Sequence, residues 1–318
     1  MQNRLRACWL IGAAALLFFT SGRLPARARA SDNASVEQHL RDQYGGKTLI
    51  LRNFYSGQKL AYDSSGKVSQ TAPSGDWTVD GVVEVDKVRL SNHRLDIQAK
   101  RLHLGWAGAG GFSPVDDPKD KRSKEESRAL GVEAELTSGN PTAEQADALL
   151  SEIFLTSQDH FADLVPDYWK PCLLAAITGK DAKHYSRCRL SPEFLAIPGV
   201  APPSEQGREP APPAEMKPGG EVFRVVRGNG VSYPKIVNNA SPEFSPEARQ
   251  AKYKGVVTLT FVVDERGRTR DIRIVSPVGM GLDQKAVETL AKWSFNPGTK
   301  DGEPVAVEMN TEMAFHLY

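Results

Sequence analysis

From Gly255 the chain reads Gly-Val-Val-Thr-Leu-Thr-Phe-Val-Val, a nearly unbroken apolar and β-branched run to Val263. It predicts a strand buried on at least one face. Asp264-Glu265-Arg266-Gly267 follows as a polar hairpin loop, and Arg270 to Val275 returns with Ile272 and Ile274 on one face. Leu282, Ala286, Leu290 and Trp293 recur at helical spacing and predict a helix from Leu282 to Trp293, with Pro297 stopping its continuation. The last segment, Val305 to Leu317, alternates. Val305, Val307, Met309, Thr311, Met313, Phe315 and Leu317 form an apolar face, and Ala306, Glu308, Asn310, Glu312, Ala314 and His316 a polar one. Upstream, Ser245-Pro246-Glu247-Ala248-Arg249 starts a short helix that ends near Tyr253, with Gly255 expected in the left-handed position after it. The expected unit is a three-stranded antiparallel sheet with two helices on one face.

The N-terminal half begins with helical spacing. Ser31 to about Gln43 places Val36 and Leu40 on one face. Period two then takes over: Leu49 to Tyr55 and Lys59 to Tyr62 read as strands, the second closed by the turn Asp63-Ser64-Ser65-Gly66. Asp76 to Val79, Val82 to Val85, Val88 to Leu90, Arg94 to Ala99 and Arg101 to Trp106 continue the series, broken at Asp80-Gly81 and Ser91-Asn92. Such strands predict an antiparallel sheet, in its closed form a small barrel. Pro114 to Arg128 is charge-dense and expected as a solvated loop, and Gly131 to Leu136 is one more strand. Thr142-Ala143-Glu144-Gln145 has the capping-box pattern and opens a helix, Ala143 to Phe154, with Ala146, Leu149, Leu150 and Ile153 on its apolar face. A second helical piece, about Ala162 to Ile177, is interrupted at Pro166 and Pro171.

Ile197 to Gly220 contains Pro198, Pro202, Pro203, Pro210, Pro212, Pro213 and Pro218 among Ala, Glu and Gly, a composition unable to build a core. The expected class is therefore α+β. A β-rich domain with helices (31–190) is joined by a Pro-rich linker (191–220) to the C-terminal unit (221–318). Ahead of these, Arg4 and Arg6 precede an apolar run, Trp9 to Phe19, and Ala28-Arg29-Ala30 forms a small-x-small site before Ser31. Two expectations stand for residues 1–30: a cleaved signal peptide, or an uncleaved inner-membrane anchor over residues 9–21. Either predicts export to the periplasm or cell envelope. In that oxidising compartment Cys172 and Cys188 form an even pair and are the disulfide candidate, worth about 3 kcal/mol in the chain-entropy model. The formal net charge of +1 over 318 residues gives no electrostatic footprint for nucleic acid.

The ordered set in the last eighty or so residues resembles the TonB C-terminal domain family. It comprises the Gly-Val-Val alternation, the Asp-x-x-Gly hairpin, the Leu-Asp…Ala helix, Trp-x-Phe-x-Pro and the terminal strand, over about Pro242 to Leu317. The resemblance implies a binding module. A short segment of an outer-membrane TonB-dependent receptor, the TonB box, or another envelope protein would add to the edge of the last strand. The implied partner-binding residues are Val305, Val307, Glu308, Met309, Asn310, Thr311, Glu312, Met313 and His316. The family's ExbB–ExbD motor is implied as a partner only if the N-terminus stays anchored. The chain departs from the family where Phe244-Ser245-Pro246 replaces a Tyr-Pro, where Trp9 to Thr20 lacks a polar motor-engaging residue, and where a folded domain replaces a long Pro-rich spacer.

No catalytic, metal or cofactor motif is expected: zinc spacing, a phosphate loop and a Gly-x-Ser-x-Gly elbow are all missing from the sequence. His93 and His103 could meet across a sheet, but two ligands rarely make a metal site. Trp77, Trp106 and Trp169 read as core or sheet packing ahead of a ligand pocket. Gly228-Asn229-Gly230 reads as a turn. The alternative to receptor recognition is a soluble periplasmic adaptor with a ligand-binding N-terminal domain and a self-associating C-terminal module, forming a homodimer through the same edge. An enzyme built on the N-terminal domain has no motif in its favour.

Overall fold

Helix α1 (Ala26–Tyr44) buries Val36 and Leu40 as the spacing predicts, and lies on a five-stranded sheet. The computed structural model describes residues 26–115, 128–200 and 221–317, with side chains from Asn33 onward. Trp9 to Phe19, most of the charged loop and most of the Pro-rich segment lie outside these residues. The sheet contains β1 (Thr48–Ile50), β2 (Lys59–Tyr62), β3 (Val82–Ser91), β4 (Arg94–Arg101) and β7 (Ala129–Glu135) in the order β1-β3-β4-β7-β2, while β5 (Leu104–Trp106) and β6 (Phe112–Pro114) pair as a separate ribbon. Leu95, Ile97 and Ala99 of β4 are buried in alternation, so one face meets α1 and α2 (Ala143–Ile153). The capping box at α2 is complete: Gln145 N–H donates to Thr142 Oγ1 at 3.3 Å, and Thr142 N–H donates to Gln145 Oε1 at 3.0 Å.

Three N-terminal expectations change. The sheet is open and mixed, because β2 pairs parallel to β7; it is no barrel. Asp76 to Val79 is not a strand. Asp76 accepts the Thr78 N–H at 2.8 Å and caps a helical turn, Trp77–Gly81, whose five residues are all buried. Leu49 to Tyr55 shortens to β1, after which Leu51 bridges Phe154.

In the C-terminal unit, β10 (Gly255–Val263) lies between β11 (Thr269–Ser276) and β14 (Glu303–Phe315), all antiparallel. Two short strands enlarge the expected three. β13 (Gly298–Lys300) pairs with the start of β14, and β8 (Val222–Phe223) runs parallel to it. β9 (Lys235–Asn238) pairs with β12 (Ser294–Asn296) as a separate ribbon. Helix α6 (Pro246–Gln250) is capped by Ser245, and α7 (Leu282–Leu290) buries Leu282, Ala286 and Leu290. The left-handed residue after α6 is Lys252, at φ 50°, not Gly255. Gly255 opens β10, where a Cβ would meet Val278 Cγ1 at 2.4 Å, so close packing selects the glycine.

The two halves share one core. Trp77 packs against Trp169, Phe112, Phe161 and Phe194 with ring centroids 5.1 to 5.9 Å apart. The same cluster continues into Val257, Leu259, Phe261, Ile274, Met280 and Leu282 of the C-terminal unit. Backbone bonds cross the junction: Trp106 N–H to Val278 O and Met280 N–H to Leu104 O, both 2.8 Å, and Ile274 N–H to Tyr168 O, 3.0 Å. Gly279 makes this approach sterically possible, since a Cβ there would sit 2.4 Å from Leu104 O. Residues 191–200 belong to this packing. After α3 (Phe161–Leu164) and α4 (Lys170–Thr178), helix α5 (Pro192–Leu195) carries buried Phe194, and Ile197 and Val200 are buried after it, because apolar anchors outweigh the prolines around them.

Candidate functional site

The outer edge of β14 follows from local hydrogen-bond geometry. Asp264 N–H bonds Arg268 O across the hairpin, so Asp264 faces β11. Along an alternating strand Val263, Phe261 and Leu259 then face β14. Their partners are Val307, Met309 and Thr311, with no register shift from Gly255↔Phe315 to Val263↔Val307. Thr260 Oγ1 bonding Met309 O at 3.3 Å agrees, since it requires that carbonyl to lie on the β10 side. The backbone groups of Glu308, Asn310, Glu312 and Ala314 therefore face away from β10.

β8 covers the upstream part of this edge at Ala306 and Val307. Arg224 then clamps Glu308 through two contacts, Nε to Oε1 at 2.9 Å and Nη2 to Oε2 at 3.1 Å, and the chain turns off at Val226 to Asn229. Among the described residues no strand pairs with the outer side of Asn310, Glu312 and Ala314. Of the residues expected to bind a partner, Asn310 and Glu312 point backbone groups to the open edge, and Glu308 points its own toward β8. Val307, Met309, Thr311 and Met313 spend theirs on β10, Val305 pairs with Gly298, and His316 lies beyond the strand's end. The side chains of Val307 and Met313 are buried.

β8, Arg224 and the exposed stretch around Tyr233 were not singled out from the sequence. The apolar and mostly β-branched run Val222-Phe223-Arg224-Val225-Val226 is a strand signal, too short to stand alone next to a Pro-rich segment. A recess of about 350 Å³ opens there, lined by Arg224, Val225, Tyr233, Glu308, Met309 and Asn310.

The other candidates resolve as structure. Cys172 and Cys188 are bonded to each other. Trp77 and Trp169 lie in the aromatic cluster, and Trp106 stacks edge-on to Phe112 at 6.1 Å. His103 is buried, with burial and the nearby Arg128 and Arg101 pushing its pKa down to about 3, while His93 is exposed. No group of three metal-ligating side chains occurs among the described residues. Gly228-Asn229-Gly230 forms a turn.

Carboxylates at the junction between the halves make stability depend on pH. Asp283 is fully buried and accepts N–H groups of Val278 and Gly279, the first at 2.9 Å. Burial outweighs these bonds and pushes its pKa up to about 8. Burial likewise raises Asp76 to about 6 against its Thr78 bonds, and Asp80 to about 6 against Arg101. A raised folded-state pKa gives stability that is full below the unfolded value, near 4, and is lost as pH rises through the folded one. The melting temperature is expected to fall between about pH 5 and about pH 8. Asp283→Asn is expected to flatten the part of that fall above pH 6; an unchanged slope would place the titration elsewhere.

Residues 240–317 match the family described as Gram-negative bacterial TonB protein C-terminal. The C-terminal unit is TonB-like, and residues 26–200 lie outside the match. Protein TonB of Vibrio cholerae serotype O1 (strain ATCC 39315 / El Tor Inaba N16961) is 30% identical over 89 residues, covering 27% of this chain and 36% of that protein. The chain thus spans about a third of the length of the TonB relative it matches. The solution NMR structure of the Pseudomonas aeruginosa TonB CTD aligns at 21% identity over 30% of this chain and 93% of that one, with a TM-score of 0.24. Among the described residues no helix is long and apolar enough to cross a membrane.

Proposed function

We propose that the chain is a cell-envelope binding protein. The outer edge of β14 captures an extended segment of an outer-membrane transporter, or of another envelope protein, by strand addition. The observation that carries this reading is the open run of backbone groups at Asn310, Glu312 and Ala314, on a strand whose other side is fully paired. Backbone bonds to such an edge supply affinity for many sequences, and neighbouring side chains supply selection. β11 is less available, since Ile274 N–H is bonded to Tyr168 O and Ser294 bridges Arg268.

The test is a titration of the full chain with peptides tiled over the outer-membrane receptors of the same bacterium. Amide exchange is read residue by residue. Slowed exchange at Asn310, Glu312 and Ala314 is the expected result; protection confined to the N-terminal sheet would move the binding site there.

The role in transport depends on residues 1–30. If residues 9–21 remain in the inner membrane, the chain is placed to couple an ExbB–ExbD motor to the captured transporter. Removal up to Ala30 makes it a soluble periplasmic adaptor. Mass spectrometry of the mature N-terminus in an envelope fraction separates the two: a peptide starting at Ser31 selects the adaptor, and one retaining Trp9 selects the transducer.

A further inference from the structure

We propose that the recess at the end of β8 is a specificity subsite, built to take one large aromatic side chain from the end of the strand that adds to β14. This rests on the edge reading above and extends it from backbone capture to side-chain selection.

The recess lies where the open edge begins. β8 stops at Phe223, opposite Val307, so an added strand cannot extend upstream past Glu308 without displacing it. The added strand's terminal residue therefore falls beside Asn310, against Arg224 and Tyr233. Asn310 belongs both to the open edge and to the recess wall, so an added strand and an occupant of the recess would be one continuous ligand.

The lining suits a flat, mostly apolar ring. Tyr233 presents its own ring at 62% exposure, an unusual state for an aromatic residue. Met309 offers a thioether and Val225 an aliphatic wall. The Arg224 guanidinium is held by Glu308, and its side chain remains 75% exposed, leaving it free to stack on an aromatic face. Asn310 and Glu308 supply acceptors at the rim for an indole N–H or phenol O–H. The volume of about 350 Å³ admits a tryptophan or tyrosine side chain.

A second feature points the same way. The exposed large hydrophobic residues among those described are Val226, Tyr233, Ile236 and Val237, all within twelve residues of chain, of which Tyr233 lines the recess and Val226 directly follows its wall residue Val225. Singly exposed apolar residues are ordinary, but a cluster that excludes the rest of the surface marks an interaction site. Fixing an aromatic residue at the end of the strand also fixes its register, which backbone pairing alone leaves free to slip in steps of two.

The experiment uses the full chain and two series of synthetic Thr-Val alternating strand peptides. One varies the first residue and the other the last, through Trp, Tyr, Ala and Asp. Affinity is followed by titration, and strand addition by slowed amide exchange at Asn310, Glu312 and Ala314. In one series Trp and Tyr are expected to bind at least tenfold more tightly than Ala. Tyr233→Ala is expected to erase that preference while the Ala peptide binds as before. The responding series also reports the direction of the added strand. Slowed exchange with no aromatic preference, or a preference that survives Tyr233→Ala, overturns the subsite and leaves the edge reading standing. No slowed exchange with any peptide overturns both.

Discussion

Replacing Asn310 by proline is expected to weaken the proposed capture of an added strand and to leave the fold in place. The outward direction of Asn310 is what makes the two effects separable. Its N–H faces the open edge, and its neighbours Met309 and Thr311 carry the bonds to β10. Proline removes the outward donor and fills the space in which a partner strand would lie. The residue is exposed, so no packing is lost. The same strand already carries Pro304, an even number of residues upstream and thus on the same side. Loss of bonding and of approach together is expected to weaken binding at least 100-fold, about 3 kcal/mol. Thr311→Pro is the paired control. It removes a bond to β10, and is expected to destabilise the sheet by about 3 kcal/mol or more. Isothermal titration and thermal melting of both variants check this. Binding by Asn310→Pro at the wild-type level, with a normal melt, would remove β14 as the binding strand.

Trp77→Ala is expected to cost about 3 to 5 kcal/mol and to destabilise both halves together. Trp77 is only 1% exposed and contacts four other aromatic rings. Its cluster reaches across the junction to Met280 and Leu282. A cavity at that point removes contacts from the aromatic centre that both halves pack on, and the surrounding rings can relax only partly. A single cooperative transition shifted downward is expected for the full chain. It is best read by amide exchange in β4 and in β10 at increasing denaturant. A variant in which β10 keeps its wild-type protection while β4 loses it would show that the C-terminal unit stands independently of the shared core.

The elements with strong periodicity were legible from sequence. β10, the α7 stripe and β14 each carry their signal in consecutive side chains, as does the capping box at Thr142. The helical turn at Trp77 was not legible. Trp-Thr-Val has high strand propensity, and a capping bond from Asp76 plus burial on all sides overrode it. The opening of the N-terminal sheet turned on the parallel pairing of β2 with β7, a contact between segments far apart in the chain that no local pattern encodes.

The candidate site divides in the same way. The order of motifs carried the resemblance to the TonB C-terminal family, and that resemblance implied an edge on the last strand. Which residues on that strand could accept a partner depended on parity, and parity depended on the hairpin bond from Asp264 and on the register with β10. The limits of the open stretch depended on β8, a two-residue strand whose stability comes from the sheet it joins. The recess exists only because Arg224, Tyr233 and Asn310, distant in sequence, meet there.

By itself, then, the sequence determined the class of the C-terminal unit and its order of elements. These follow from side-chain periodicity and turn chemistry, which act over a few residues. Tertiary structure alone decided that the two halves share a core, that residues 191–200 pack into it, and that the edge of β14 left open by β8 begins at Asn310, beside the recess walled by Arg224 and Tyr233. Each of these is a contact between remote segments, fixed by which surfaces fit together once the local elements have formed.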